Sequence, residues 1–235
     1  LTDKLPANAY VYDHEKLYNK VLKTTDKDRF IDLRKLLKEK SKEDRVYFHT
    51  DHHWTLNGAY EGYLAYTNYL ETGKVQDEIS EYKESEETLG SDKFFGTIYS
   101  KVMDSSAKGE DLYIQTDIPE GIKVTCDGKE GEVYDEEKLK EKDKYAVFFG
   151  GNYAQMTIEN PSATSDKTLL VIKDSFANSM LPYMLSEYKK IDVLDLRYYM
   201  GSIKALIAEN KYSEELILYE MSNFAEDRNM YKLAM

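Results

Sequence analysis

From Thr168 onward the chain alternates strand and helix patterns at a spacing that few folds accommodate. Thr168-Leu169-Leu170-Val171-Ile172 is an apolar run of the length and branching expected of a buried strand. A helical pattern over 176–188 follows, then a strand over 191–196, a helix over 202–210 and a strand over 214–220. This alternation predicts βαβ crossovers and a mostly parallel sheet, because parallel neighbours need a long return connection. Ligands of such sheets sit outside the carboxyl ends of the strands. The residues at those ends therefore carry the functional argument.

Upstream, 14–24 and 26–41 read as helices, the second from the spacing of Phe30, Leu33, Leu36 and Leu37. Arg45–Phe48 reads as a short buried strand. Asn57-Gly58 marks a turn before a helix whose one face holds Ala59, Tyr63, Tyr66, Thr67 and Leu70. The stretch 72–145 differs. Its Glu and Lys runs, such as Glu84–Glu87, suit solvated loop or exposed helix. Segments 112–116 and 122–125 alternate like half-buried strands, and Asp127-Gly128 suits a hairpin turn leading to Val133-Tyr134. With few aliphatic residues of its own, 72–145 is expected to be a β-rich insertion within one domain spanning 1–235. Tyr145–Phe149 reads as a strand ending in Gly150-Gly151-Asn152.

The net charge of −12 argues against nucleic acid as a partner, which needs a basic footprint. Cys126 is the only cysteine, which excludes an intrachain disulfide; beside a hairpin turn it is expected to be unreactive. No apolar window of about 18 residues is present to span a bilayer. The 21 tyrosines offer rigid amphipathic surfaces for sugars, although most are expected to straddle the core boundary.

Ser175 stands where the strand at 168–172 gives way to a helix. There its own amide would face a developing oxyanion, or its hydroxyl would merely cap helix amides. Asp51-His52-His53-Trp54 puts an acid beside two imidazoles and the only tryptophan. On a turn, an aspartate reaches Nδ1 of a histidine two residues on and leaves Nε2 free to activate a hydroxyl. Ser175, Asp51 and Gly150–Asn152 each follow a predicted strand, which places them at one site. In that reading Asp51, His53 and Ser175 form a triad. The Ser175 amide, Gly151 and Asn152 would supply the oxyanion hole. His52, Trp54 and Arg197 are candidate substrate contacts, with a structural ion pair as the other role for Arg197. His49, Asp51 and His53 also suit a metal, but with only His14 and Cys126 to complete a set no metal is assigned. No cofactor is expected.

Thr50-Asp51-His52-His53-Trp54-Thr55, followed by Asn57-Gly58-Ala59, resembles the bacterial family named for its DHHW signature. That family looks like a branch of the SGNH hydrolase-like proteins that includes the alginate O-acetylation proteins, which carry Asp-x-His-Trp-Thr and a later serine after a strand. Leu170–Phe176 matches that serine segment, and Asp195-Leu196-Arg197 resembles another recurring one. The resemblance implies a three-layer α/β/α SGNH-like fold, with Asp51 as acid, His53 as base and Ser175 as nucleophile. It implies O-acetyltransferase or esterase chemistry on an extracellular or cell-envelope polysaccharide. It also implies export, often behind an N-terminal membrane anchor, and the start at Leu1-Thr2-Asp3 fits a trimmed chain. A membrane protein that donates the acyl group would suit that setting. Two departures stand out: Lys173 replaces the glycine of Gly-Asp-Ser, and Gly150-Gly151-Asn152 matches the Gly-x-Asn block only loosely. A catalytically silent glycan-binding module and a metal-dependent hydrolase are the other function classes.

Overall fold

The structure, a computed structural model, describes residues 13–74 and 86–234. The helices are α1 His14–Thr24, α2 Arg34–Lys40, α3 Leu56–Thr72, α4 Thr97–Val102, α5 Ala177–Met184, α6 Ile203–Asn210 and α7 Met221–Glu226. The strands are β1 Glu87–Phe94, β2 Glu110–Gln115, β3 Lys123–Cys126, β4 Lys129–Gly131, β5 Gln155–Glu159, β6 Thr168–Lys173, β7 Lys190–Leu194 and β8 Glu214–Leu218.

Six strands form the main sheet in the order β4-β3-β5-β7-β6-β8. The strand–helix alternation after Thr168 is present as expected: β6 pairs in parallel with β7 and with β8. The expectation of a mostly parallel sheet is corrected, because the β4–β3, β3–β5 and β5–β7 pairings are antiparallel. The β4–β3 pairing is the Asp127-Gly128 hairpin; the other two belong to β5, a strand not anticipated from the sequence. Its Met156 and Ile158 turn inward while Gln155, Thr157 and Glu159 stay at or near solvent. It reverses the direction between β7 and β3. The protein is therefore a mixed α/β fold.

Leu169 to Lys173 of β6 are all buried, and alternate side chains leave the strand in opposite directions. Leu169 and Val171 join a core with Tyr60 and Tyr66 of α3 and Met180, Leu181 and Met184 of α5. Leu170 and Ile172 meet Leu194, Leu196 and Ile203, with Leu206 and Ile207 of α6 packed alongside. Helices thus cover both faces of the parallel part of the sheet. Each fully buried Leu or Ile contributes roughly 1.5–3 kcal/mol, so β6 is the most securely held element near the site.

Several expected elements take another form. The 26–41 helix is broken into a 3-10 turn at Lys27–Arg29 and α2, because Asp32 accepts from the Arg34 amide and guanidinium just before α2 begins. Arg45–Phe48 makes only a single bridge, Tyr47 to Trp54. Asn57-Gly58 is not a turn but the first turn of α3, capped by Thr55. Gly58 is needed there because a Cβ would drive into the Val46 carbonyl. Tyr145–Phe149 is a 3-10 turn at Lys144–Val147 with one bridge, Phe148 to Tyr134. The 176–188 helix ends at Met184, two residues after Pro182.

Within 72–145, residues 75–85 lie outside the described set, and Glu87 opens β1. β1 and β2 form their own antiparallel sheet, while β3 and β4 extend the main one. The β3–β4 hairpin turns at Asp127 (φ 46°) and Gly128 (φ 78°), the pair of positive φ angles that a tight two-residue hairpin needs. Cys126 is buried, which pushes its thiol up to about 11, in keeping with an inert residue. Among the described residues no helix is long and apolar enough to cross a membrane.

Candidate active site

The loop before α3 is a hairpin-like turn pinned at both ends. Phe48 N–H donates to the His53 carbonyl at 3.2 Å and Thr55 N–H to the Val46 carbonyl at 3.0 Å. Glu110 at the start of β2 holds its tip. The buried carboxylate accepts from the His49 amide (2.9 Å), the Thr50 amide and hydroxyl (each 2.6 Å) and Arg45 Nη1 (2.9 Å). Charge-assisted bonds of this kind are the stronger class, so a fixed anion sets where Asp51 and His53 emerge.

Asp51 is buried and fully engaged. Its Oδ1 accepts from the His53 amide at 2.9 Å and from His53 Nδ1–H in a short contact. Its Oδ2 accepts from the Thr97 amide at 2.7 Å and the Thr97 hydroxyl at 3.1 Å. Thr97 Oγ1 in turn accepts from His52 Nδ1–H at 2.7 Å. Burial alone would raise the Asp51 carboxyl. The neighbouring His52 imidazole, 3.6 Å away, the hydrogen bond and charge of His53 and the Thr97 amide outweigh it and hold the group well below the usual carboxylate range.

His53 Nε2 lies 2.7 Å from Ser175 Oγ, a hydrogen bond spanning 122 positions of sequence. The His53 ring stacks on Tyr145, with centroids 3.7 Å apart and planes 7° from parallel. Burial pushes the imidazole below its ordinary value, and the Asp51 carboxylate partly opposes that shift. Tyr145 hydroxyl donates to Ser179 Oγ at 3.0 Å, and Trp54 Nε1–H donates to the same oxygen at 2.9 Å.

Ser175 sits on the turn between β6 and α5. The Asp174 carboxylate shapes this turn, accepting from the Phe176 amide (2.9 Å), the Glu220 amide (3.0 Å) and Asn223 Nδ2 (2.8 Å). The helix N-cap is Phe176, with no side-chain capping bond, so the Ser175 hydroxyl caps nothing and faces His53 instead. Its amide donates to no group among the described residues. Ser175 is 9% exposed, and a groove of about 1480 Å³ runs past Asp51, His52 and Thr97 to Glu220 and Asn223.

The other expected site residues fall out differently. His52 is exposed beside the groove and tilted over His53. Trp54 is 3% exposed, and its indole N–H also donates to the Phe176 carbonyl. It is a core residue rather than a ligand platform, because a short loop cannot both pack its ring under α3 and present it. Arg197 forks the buried Asp195 carboxylate, with Nε to Oδ1 at 2.8 Å, which is the structural ion pair. Asn152 Oδ1 accepts from Lys173 Nζ at 2.7 Å and from Asn178 Nδ2 at 3.3 Å, and the Gly151 carbonyl accepts from Asn178 as well. Burial of Lys173 lowers its ammonium to about 8, against the pull of Asp195. Among the described residues, Asp51, His52 and His53 are the group whose possible ligand atoms cluster within 4.8 Å; His49 is not among them. Both Asp51 oxygens are already taken by N–H and O–H donors, so the set fits hydrogen-bond relay better than a cation.

A family model described as DHHW protein matches residues 9–194. The chain belongs to the DHHW protein family. Among solved structures, a DHHW family protein from Eubacterium siraeum superposes with a TM-score of 0.76 at 21% identity, covering 99% of this chain and 78% of that one. PatB1 from Bacillus cereus superposes with a TM-score of 0.73 at 27% identity in a form carrying a sulfonyl adduct, covering 94% and 76%. A further PatB1 structure gives 0.69 at 25% identity. A comparison with curated proteins returns no match. The DHHW segment itself is thus the loop that carries Asp51 and His53, and its tryptophan is the residue that anchors that loop to the core.

Three contributors to the site escaped the sequence reading: Thr97, Glu110 and Tyr145. Gly96-Thr97 at the head of a short helix was the one local hint.

Proposed function

We propose that this DHHW protein performs serine-dependent acyl-ester chemistry, as an O-acetyltransferase or acetylesterase, on an extracellular or cell-envelope polysaccharide. One observation carries the reading: the Ser175 hydroxyl hydrogen-bonds His53 Nε2 while Nδ1–H of the same ring is held by Asp51. Nucleophile, base and orienting acid stand in the order such chemistry requires. A three-layer SGNH-like arrangement fits the helices on both sheet faces and the placement of Ser175 at a strand's carboxyl end.

In the first half-reaction Ser175 Oγ attacks the acetyl carbonyl and its proton passes to His53. The carbonyl π electrons move onto oxygen, where the Ser175 amide and the Asn152 side chain would receive them. Collapse expels the donor alkoxide, which takes the proton from His53 and leaves an acetyl-serine. In the second half a sugar hydroxyl or water gives its proton to His53 and attacks the acyl carbon; the bond to Ser175 Oγ breaks, and that oxygen takes the proton back from His53, restoring both groups. Asp51 stabilises the imidazolium in both halves and stays ionised.

The sulfonyl adduct of PatB1 supports the reading, since sulfonyl electrophiles are trapped by activated nucleophiles. The burial of Trp54 removes the main aromatic surface that a silent glycan-binding module would have used. Hydrolysis of 4-nitrophenyl acetate tests the proposal. Ser175→Ala should lower kcat by about 10⁴-fold or more. Equal rates for the variant and the parent would sink it, and glycan binding unaffected by the substitution, with no acyl-enzyme in mass spectrometry, would favour the binding module.

A further inference from the structure

Lys173 is the buried charge that the mechanism leaves unused, and it occupies the position where the serine segment departs from Gly-Asp-Ser. Its side chain is 3% exposed, and its nearest carboxylate, Asp195 Oδ2, lies 3.9 Å away and is already forked by Arg197. Its short contact is with Asn152 Oδ1 at 2.7 Å. An ammonium only donates, so the Asn152 amide must turn its oxygen toward Lys173. Asn178 Nδ2 donates to that oxygen too, so the Asn152 –NH2 is left pointing away from the buried pair, on an exposed residue.

The loop that carries Asn152 needs such a hold. Phe149, Gly150 and Gly151 have φ of 61°, 77° and 125°, three successive residues in conformations that side chains rarely adopt. Glycine takes such angles freely, so the strain sits at Phe149, and strain at a residue with a side chain persists only where surrounding contacts over-determine it. Asn178 ties the loop to the nucleophile's own segment. Its side chain donates to the Gly151 carbonyl at 3.3 Å, while its amide donates to the Ser175 carbonyl at 3.2 Å.

We propose that Lys173 is a positioning residue: by gripping the Asn152 side-chain oxygen it aims the Asn152 –NH2 as the second oxyanion donor beside the Ser175 amide. This rests on the acyl-ester reading above it. The buried lysine joins the end of β6 and the 149–152 loop into one unit.

The experiment compares the parent, Ser175→Ala, Asn152→Ala, Asn152→Asp, Lys173→Met and the Asn152→Ala/Lys173→Met double variant, with kcat and KM for 4-nitrophenyl acetate and melting temperature for each. Asn152→Ala should lose about 100-fold in kcat with little change in KM, the usual cost of one oxyanion donor. Lys173→Met should lose at least about 10-fold, and the double variant should be no slower than Asn152→Ala alone, because Lys173 acts through Asn152. A purely structural lysine would instead add its cost in both backgrounds. Asn152→Asp should abolish kcat yet melt higher than Asn152→Ala, since a carboxylate there meets the Lys173 ammonium; this arm decides even if Lys173→Met does not fold. Parent kcat in Asn152→Ala, additive losses, or no gain in melting temperature for Asn152→Asp would each overturn the inference while leaving Ser175 chemistry intact. Parent activity in Ser175→Ala would bring down the acyl-ester reading and this inference with it.

Discussion

Gly96 is the position at which one methyl group should do most damage at a distance from the reacting atoms. Gly96 is the residue before α4, and a Cβ there would overlap both Cβ and Oδ2 of Asp51. Its dihedrals, φ −91° and ψ −160°, are open to any residue, so Gly96→Ala tests the clash and not the backbone. Neither partner can retreat freely. Thr97 N–H holds Asp51 Oδ2, Thr50 Oγ1 accepts from Gly96 N–H at 3.3 Å, and the Thr50 carbonyl accepts from Tyr99 N–H at 2.9 Å. Restoring ordinary contact requires a shift of about 1 Å, a misplacement that costs on the order of 100-fold in rate when it moves a catalytic group. That loss corresponds to about 2.7 kcal/mol of transition-state stabilisation. The same overpacking should cost roughly 1–3 kcal/mol of stability, or about 2–12 °C in melting temperature for a chain of this size. Steady-state hydrolysis of 4-nitrophenyl acetate, with melting followed by circular dichroism, reads both. Gly128→Ala is the contrasting case: the space around it is open but its φ is 78°, so it should lower the melting temperature through backbone strain and leave kcat at the parent level. A Gly96→Ala protein with parent kcat would show that Asp51 does not need its Thr97 clamp, and the positional account of the site would fail.

Two further outcomes follow from the electrostatics around His53. The base must be neutral, and burial holds the His53 imidazole below its ordinary value, so the acidic limb of kcat/KM against pH should lie below that of a free imidazole. Asp51→Asn, which removes the opposing charge, should move that limb lower still and reduce kcat by about 10⁴-fold; a limb that rises would contradict the sign. Tyr145→Leu removes the stacked face under His53 and should slow kcat by roughly 2–12-fold, the equivalent of about 0.5–1.5 kcal/mol. Tyr145→Phe keeps the ring and loses only the bond to Ser179, so it should retain most of the rate. Equal losses in the two variants would shift the role from the ring to the hydroxyl.

Much of this protein is written in local patterns. The buried strand at 168–172, the helix and strands after it and the Asp127-Gly128 hairpin follow from periodicity and turn chemistry, which act over a few residues. The pairing of Asp51 with His53 is of the same kind, since an i,i+2 reach on a turn is a short-range geometry. Ser175 was marked by the end of an apolar run. The choice between a nucleophile and a helix cap, however, belongs to a bond 122 positions long. Contacts of that span depend on how the sheet and helices stack, which no local pattern encodes. Tertiary packing alone placed Glu110 under the loop, Thr97 against Asp51 and Tyr145 beneath His53, buried Trp54 instead of presenting it, and paired Arg197 with Asp195. It also decided the sheet. β5 carries the alternation of a half-buried strand, yet only its partners on either side set its direction and turned a parallel expectation into a mixed fold. Local sequence selects elements through backbone preferences a few residues wide, whereas side-chain partners and strand direction are chosen by burial energies summed over the whole chain.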